Sequence, residues 1–197
     1  MSKDISLLLK ETIENETFQN LNCSAENLSQ KEFTNCTFKK CDFQRCIFNG
    51  TIFIDCTFES CNLTGIKIDS CGFQGTHFEK CKFLGTDFRI INTLLIDWSF
   101  TNCHIELCDF ERLDLKKLKL IQSTCSENNF TSTNLMGADF SETDLRKSRF
   151  DGTNLEKTNF TTAKNYSIDP TKNRLKGAKF SYPEVISLLD TFGVEIK

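Results

Sequence analysis

The chain has 197 residues, enough for one domain with a real core, and its 24 Lys+Arg against 27 Asp+Glu give a formal charge of −3. That balance argues against a strongly basic nucleic-acid binder, and no apolar run reaches the roughly 18 residues of a transmembrane helix. Two excesses remain to be explained: 19 Phe against two Tyr and one Trp, and 11 Cys.

Residues 1–17 begin with an apolar stretch, Ile5 to Leu9, too short for a signal peptide and without a small-residue cleavage site. A cytoplasmic chain with reduced thiols is therefore expected. Leu8 and Ile13 share the phase of the repeat that follows, but Glu11 and Glu16 would then fall in inward slots. The segment reads either as a poorly formed first coil or as a capping helix.

Residues 18–88 carry a five-residue period. Phe33, Phe38, Phe43, Phe48, Phe53, Phe58, Leu63, Ile68, Phe73, Phe78, Phe83 and Phe88 recur without exception. Two places before that large residue stands a small one: Cys36, Cys41, Cys46, Cys56, Cys61, Cys71 and Cys81, or Thr51, Thr76 and Thr86. The two positions lie on one face of an extended strand, because side chains alternate with period two. A period of five fits neither a helix nor a long strand. It fits a chain that makes a short extended side and turns a corner, again and again, with the core built by stacking.

Residues 89–99 interrupt the lattice by two extra residues between Phe88 and Phe100. This is either a bulge joining two blocks or a small protruding loop, with Trp98 as a candidate contact of the kind interfaces favour. Residues 100–163 resume in a shifted phase: Phe100, Ile105, Phe110, Leu115, Leu120, Cys125, Phe130, Leu135, Phe140, Leu145, Phe150, Leu155 and Phe160. Cys103, Cys108, Thr133, Ala138, Thr143, Ser148, Thr153 and Thr158 fill the small slot. On this reading 17 of the 19 Phe belong to the lattice, Phe180 and Phe192 standing outside it.

Residues 164–197 leave the repeat. Ser181 and Glu184 have the spacing of a capping box, Phe180 and Val185 that of a hydrophobic staple. Val185, Leu188, Leu189 and Phe192 form a helical stripe with Ile186 beside it, and Gly193 is placed to end the helix. Val194 and Ile196 then alternate as a short strand. A terminal plug explains part of this apolar surface; the rest predicts a two-fold dimer through Val185, Ile186, Leu188, Leu189, Phe192, Val194 and Ile196.

Catalysis finds little support. His77 and His104 both fall just before a core position, facing outward, with no partner that the pattern foretells, and no phosphate loop, HExxH or CxxC occurs. No catalytic residue, metal site or cofactor is expected.

The triplets Thr133-Asn134-Leu135, Ala138-Asp139-Phe140, Thr143-Asp144-Leu145, Thr153-Asn154-Leu155 and Thr158-Asn159-Phe160 resemble the signature of the pentapeptide-repeat family. The resemblance implies an all-β fold, a right-handed quadrilateral β-helix with four repeats per coil. Residues 20 apart then stack, so Cys41, Cys61 and Cys81 form one interior column. Parallel Cβ vectors suit neither a disulfide nor tetrahedral zinc, which leaves packing thiols. Within the family, Cys61-Asn62-Leu63-Thr64-Gly65-Ile66-Lys67-Ile68 and the tail Asn165-Tyr166-Ser167-Ile168-Asp169-Pro170 resemble the quinolone-resistance (Qnr-type) proteins. That implies a rod-shaped homodimer that binds type II topoisomerases, DNA gyrase and topoisomerase IV, through an acidic surface imitating DNA, without itself contacting nucleic acid or membrane. The microcin-immunity proteins share the architecture, and an adaptor for another protein is the alternative.

Average charge imitates DNA poorly: duplex DNA as long as a rod of roughly 70 Å carries about 40 phosphates. Only local stripes qualify. The candidates are Glu59 and Glu79, one coil apart; Asp69 and Asp87, on a shared face; and the cluster Asp139, Glu142 and Asp144.

Overall fold

A computed structural model describes Leu8 and residues 10–195. Its strands are β1 (Thr12–Glu14), β2 (Thr17–Gln19), β3 (Glu32–Thr34), β4 (Thr37–Lys39), β5 (Ile52–Ile54), β6 (Thr57–Glu59), β7 (Gly72–Glu79), β8 (Lys82–Leu84), β9 (Ile96–Thr101), β10 (His104–Glu106), β11 (Lys119–Ile121) and β12 (Thr124–Ser126). Every pairing is parallel, and in the first block each joins residues 20 apart: Ile13 to Phe33 to Phe53 on one side, Phe18 to Phe38 to Phe58 on the next. Single bridges do the same on the other two sides, Asn22–Asp42–Asn62–Lys82 and Asn27–Ile47–Lys67. Four five-residue sides thus close each coil, and the fold is a right-handed quadrilateral β-helix.

Both compositional excesses are core. Phe18, Phe38, Phe58, Phe78 and Phe100 stack up the second side with centroids 5.2, 4.7, 5.1 and 5.1 Å apart. Within a coil, neighbouring sides meet edge to face, as for Phe33 and Phe38 at 75° and 5.3 Å. Offset stacking upward and T-shaped contact sideways are the two favourable arrangements of aromatic quadrupoles. The small slot has a second task beyond size. Thr51 Oγ1 donates to Leu28 O (2.6 Å), Cys56 Sγ to Phe33 O (3.3 Å), Thr143 Oγ1 to Leu120 O (2.8 Å) and Ser148 Oγ to Cys125 O (2.8 Å). Cys, Thr and Ser are interchangeable there because each brings a donor to the coil below. All 11 thiols are free and buried. Burial pushes Cys46 up to about 12 and Cys23 and Cys108 to about 11, away from the reactive thiolate.

The corners impose a backbone condition. Two residues after nearly every core position the chain turns left-handed, at Asn20 (φ 55°), Lys40 (φ 52°) and Leu107 (φ 55°) as well as at Gly85 (φ 67°), Ile90 and Thr162 being exceptions. Asn or Asp one place before the core position helps close the corner, its Oδ1 accepting the N–H two residues on: Asn22 from Ser24 (3.0 Å), Asp42 from Gln44 (3.0 Å), Asn62 from Thr64 (3.2 Å).

The solenoid is longer at both ends than the pattern suggested. β1 and β2 already pair with β3 and β4, and Leu8 and Ile13 are buried, so the first-coil reading holds from Thr12 onward and no helix lies among the described residues of this segment; residues 1–7 and Leu9 lie outside them. Glu11 is exposed and Glu16 half-buried. At the other end, bridges Asn154–Arg174 and Asn159–Lys179 continue the ladder, and Phe180 stacks on Phe160 at 5.2 Å and 3°. Phe180 is therefore a lattice residue, not a staple.

The interruption is both bulge and loop. Two short 3₁₀ turns, Phe88–Ile90 and Thr93–Leu95, precede β9, whose register against β7 shifts between Phe73–Ile96 and Thr76–Trp98. The expectation that Trp98 is an exposed contact fails. Its indole is buried against Phe73 (5.6 Å), Phe88 (5.2 Å) and Phe100 (5.6 Å), because it stands in an inward slot one coil above Thr76.

The C-terminal helix is Glu184–Phe192, wound as 3₁₀ rather than α. The capping box does not form: Pro183 holds the cap position, and Ser181 Oγ donates to Thr161 O instead. Gly193 does end the helix, at φ 61°, its N–H bonded to Asp190 O (3.2 Å). Val194 is irregular rather than strand, and Ile196 lies outside the described residues.

Candidate partner-binding surface

Since the interior is filled, anything the solenoid recognises must meet its walls, corners or ends. Each wall repeats outward positions at the coil spacing of about 4.8 Å, so sequence position translates into surface position. Glu59 and Glu79 are register partners, as expected. Each is held by a cation, Glu59 by Lys39 (3.0 Å) and Glu79 by Lys80 (3.0 Å). Hydrogen bonding to Lys39 lowers the Glu59 carboxyl below its usual range.

Asp69 and Asp87 come together on the fourth side, in one groove lined also by Asn49, Ile66, Lys67 and Ile90. Asp69 meets the Ser70 hydroxyl (3.0 Å). Asp87 is gripped by Arg89 through two bonds of 2.9 and 2.7 Å, which lowers its carboxyl. Arg89 also reaches Asp109 (3.2 Å) and Glu111 (4.0 Å), two carboxylates that the five-residue pattern does not single out. The third cluster wraps one corner. Asp139 accepts from Ser141 and Asn159, Glu142 from Gln122 (3.1 Å), and Asp144 pairs with Arg146 and is lowered by it. Of the seven named carboxylates, four are neutralised by a bonded cation, while Asp69, Asp139 and Glu142 have neutral donors.

Neither histidine sits in an enclosure. His77 Nδ1 meets Ser99 Oγ at 2.8 Å, and His104 Nε2 meets Glu106 at 3.1 Å, so both have partners the pattern did not foretell, on open wall. Among the described residues no group of three or more His, Cys, Asp or Glu converges for a metal ion, and no helix is long and apolar enough to cross a membrane.

Besides the single exposed Leu107 and Tyr182, exposed apolar side chains gather in two places. Leu94, 90% exposed at the crest of the interruption, takes the place that Trp98 was expected to hold, and Ile90 of the preceding turn is exposed as well. Asn92 Oδ1 accepts the Leu94 N–H (3.1 Å), so the crest is capped from below. At the C-terminal end Leu189, Phe192 and Val194 are 42, 56 and 53% exposed, whereas Leu188 packs against the core and Val185 and Ile186 are half-buried.

A solenoid of stacked five-residue sides, each coil contacting only its neighbours, defines a class, the repeat solenoids. The chain belongs to the pentapeptide-repeat family: residues 31–107 match the pentapeptide repeat region, and residues 108–146 and 125–161 match the eight-copy pentapeptide repeats. No curated protein matches by sequence. Among solved structures, a trypsin-treated form of QnrB1, a plasmid-mediated fluoroquinolone resistance protein, is 23% identical with a TM-score of 0.64, over 94% of this chain and 90% of that one. A second trypsin-treated QnrB1 form gives 24% and 0.61, over 95% and 92%. HetL, a pentapeptide repeat protein involved in heterocyst differentiation regulation in the cyanobacterium Nostoc, gives 16% and 0.64, over 86% of each chain.

Proposed function

We propose that the chain is a non-enzymatic binding scaffold that engages a type II topoisomerase, DNA gyrase or topoisomerase IV, and protects it from quinolones. The observation that carries this reading is the end-to-end likeness to QnrB1, which spans 94% of the chain. The groove lined by Asp69 and Asp87 supports it, with Asp109 and Glu111 reached through Arg89 next to it, as does the exposed, capped Leu94 of the interruption. In this reading two copies join through the exposed Leu189, Phe192 and Val194, with Val185, Ile186, Leu188 and Ile196 completing the contact, and the dimer acts in the cytoplasm.

An adaptor role for another protein is the second reading. It is favoured by the ion pairing of Glu59, Glu79, Asp87 and Asp144, which blunts any imitation of phosphates, and by the equal TM-score of HetL, a protein of different role.

The deciding experiment is gyrase supercoiling in the presence of a fluoroquinolone, with purified protein added over a concentration series. Supercoiling restored at near-stoichiometric protein, and lost again with Leu94→Asp, supports protection. Unchanged drug inhibition together with unaffected drug-free gyrase sinks it in favour of the adaptor.

A further inference from the structure

The chain-wide charge of −3 conceals an uneven distribution. Residues 1–111 carry 10 Lys+Arg against 16 Asp+Glu, whereas residues 112–182 carry 13 against 8. The basic excess is concentrated in space as well as in sequence. The corner between the first and second sides repeats every coil, and bridges Lys119–Asp139–Asn159–Lys179 and Asn134–Asn154–Arg174 fix its floors one above another. On those floors stand Lys117, Lys119, Lys157, Arg174, Lys176 and Lys179, all exposed, and none of the six takes part in an ion pair among the described residues. Lys116 is paired with Asp114 (2.8 Å), and two carboxylates, Glu156 and Asp139, the latter bonded to the neutral Ser141 and Asn159, stand among the six unpaired cations, leaving the corner with a net positive charge. The Lys117 and Lys157 stems lie over Gly137 and Gly177, 3.8 and 3.4 Å from where a Cβ would stand, so the two stems drape along the corner line.

We propose that this corner binds the phosphodiester backbone of a nucleic acid without regard to sequence. Three floors separate Lys119 from Lys179, about 14 Å at the coil spacing, a length over which one DNA strand presents about four phosphates. The chemistry of the strip decides between a nucleic acid and an acidic protein. Protein interfaces are anchored by a buried apolar or aromatic centre, and this ridge offers only Met136 among polar neighbours, with no aromatic on which a base could stack. Charge without an apolar anchor is what backbone binding requires. The acidic half does not cancel it: most of that charge lies several coils away, beyond the Debye length of about 8 Å at physiological salt. The inference stands independently of the topoisomerase reading.

The test is fluorescence anisotropy of a labelled 20-base-pair duplex with the full chain at several salt concentrations. Binding at 50 mM salt that weakens roughly a hundredfold by 200 mM is expected for about four contacts. The triple variant Lys117→Glu/Lys157→Glu/Lys176→Glu should lose at least tenfold in affinity. The control Lys39→Glu/Lys40→Glu/Lys67→Glu, of equal charge change in the acidic half, should lose less than threefold. Far-UV circular dichroism of both variants checks that the coils persist. Absence of binding at 50 mM, equal loss in the two variants, or polyaspartate bound as tightly as the duplex would each overturn the proposal.

Discussion

The two blocks on either side of the interruption build the same coil in different ways. Below it, a coil such as Phe33, Phe38, Phe43 and Phe48 puts an aromatic on all four sides, with mostly Cys in the small slot, and two of the four sides are three-residue strands. Above it, the first coil still carries Cys103 and Cys108 in the small slot, but from Leu135 to Phe160 Leu and Phe alternate, as in Leu135, Phe140, Leu145 and Phe150, the small slot is Thr, Ser or Ala, and from Asn129 onward each side is joined by single bridges. The residue before the core position accounts for much of the difference. Thr17, Thr37 and Thr57 extend the chain, as β-branched residues do, whereas Asn129, Asn134, Asp139, Asp144, Asn154 and Asn159 each take the N–H two residues on and close a tight corner. Arg149 and Lys67 hold tight corners without that help, each stacked in a column of like corners. Both blocks stack rings and close corners with Asn or Asp, but the lower one has the denser aromatic stacking and the upper one the more complete set of corner hydrogen bonds.

Core truncation tests that contrast most severely. Phe58→Ala removes a ring stacked between Phe38 and Phe78 and in edge contact with Phe53 (5.2 Å), at a cost of about 4 kcal/mol. Leu135→Ala in the upper block should cost about 3 kcal/mol. Because coils contact only their neighbours, each change should melt its own block first. Urea unfolding followed by amide exchange would then show two transitions, and a single transition shared by both blocks would mean that they fold as one unit.

Corners come next. Asn154→Ala removes the acceptor for the Glu156 N–H and the bond from its Nδ2 to Asn134 Oδ1 (3.1 Å). A loss of about 1 kcal/mol is expected by chemical denaturation, against less than about 0.5 kcal/mol for Thr57→Ala, whose half-buried side chain caps nothing. Equal losses would break the distinction drawn between the blocks. A smaller gain is expected from Leu107→Gly. Leu107 is exposed in left-handed backbone, where Gly85 stands one coil below. Relief of about 1 kcal/mol of strain, offset in part by glycine's entropy, leaves about 0.5 kcal/mol of stabilisation.

The five-residue lattice made the fold legible because a core residue at every fifth place leaves few other ways to bury it. The same lattice put Glu59 over Glu79 correctly. What escaped the sequence depended on partners outside the repeat unit. Trp98 reads as a loop aromatic until the register shift places it in an inward slot. Phe180 reads as a helix staple until the ladder reaches Lys179. Acidic positions were visible, but their neutralisation by Lys39, Lys80, Arg89 and Arg146 depends on which rotamer reaches across a corner, and net charge hid the basic corner by averaging it with the other half.

The weakest expected effect lies at the joint between the blocks, where Arg89 ties Asp87 of the lower block to Asp109 of the upper one. Hydrogen bonding to Arg89 lowers the Asp87 carboxyl, and Arg146 does the same for Asp144 inside the upper block. A carboxyl depressed in the folded state contributes stability above its unfolded pKa, near 3.9, and loses it as pH falls through the lower folded value. Both pairs are partly open to water, so the effect on melting should be small, about a degree between pH 6 and pH 3, and should shrink in 0.5 M salt. Arg89→Gln should erase the Asp87 share while leaving that of Asp144. If the acid-induced drop is unchanged in Arg89→Gln, the guanidinium does not join the two blocks, and their contact rests on the parallel β7–β9 and β8–β10 pairings and on the Phe78–Phe100 and Phe88–Phe110 stacks, at 5.1 and 4.6 Å.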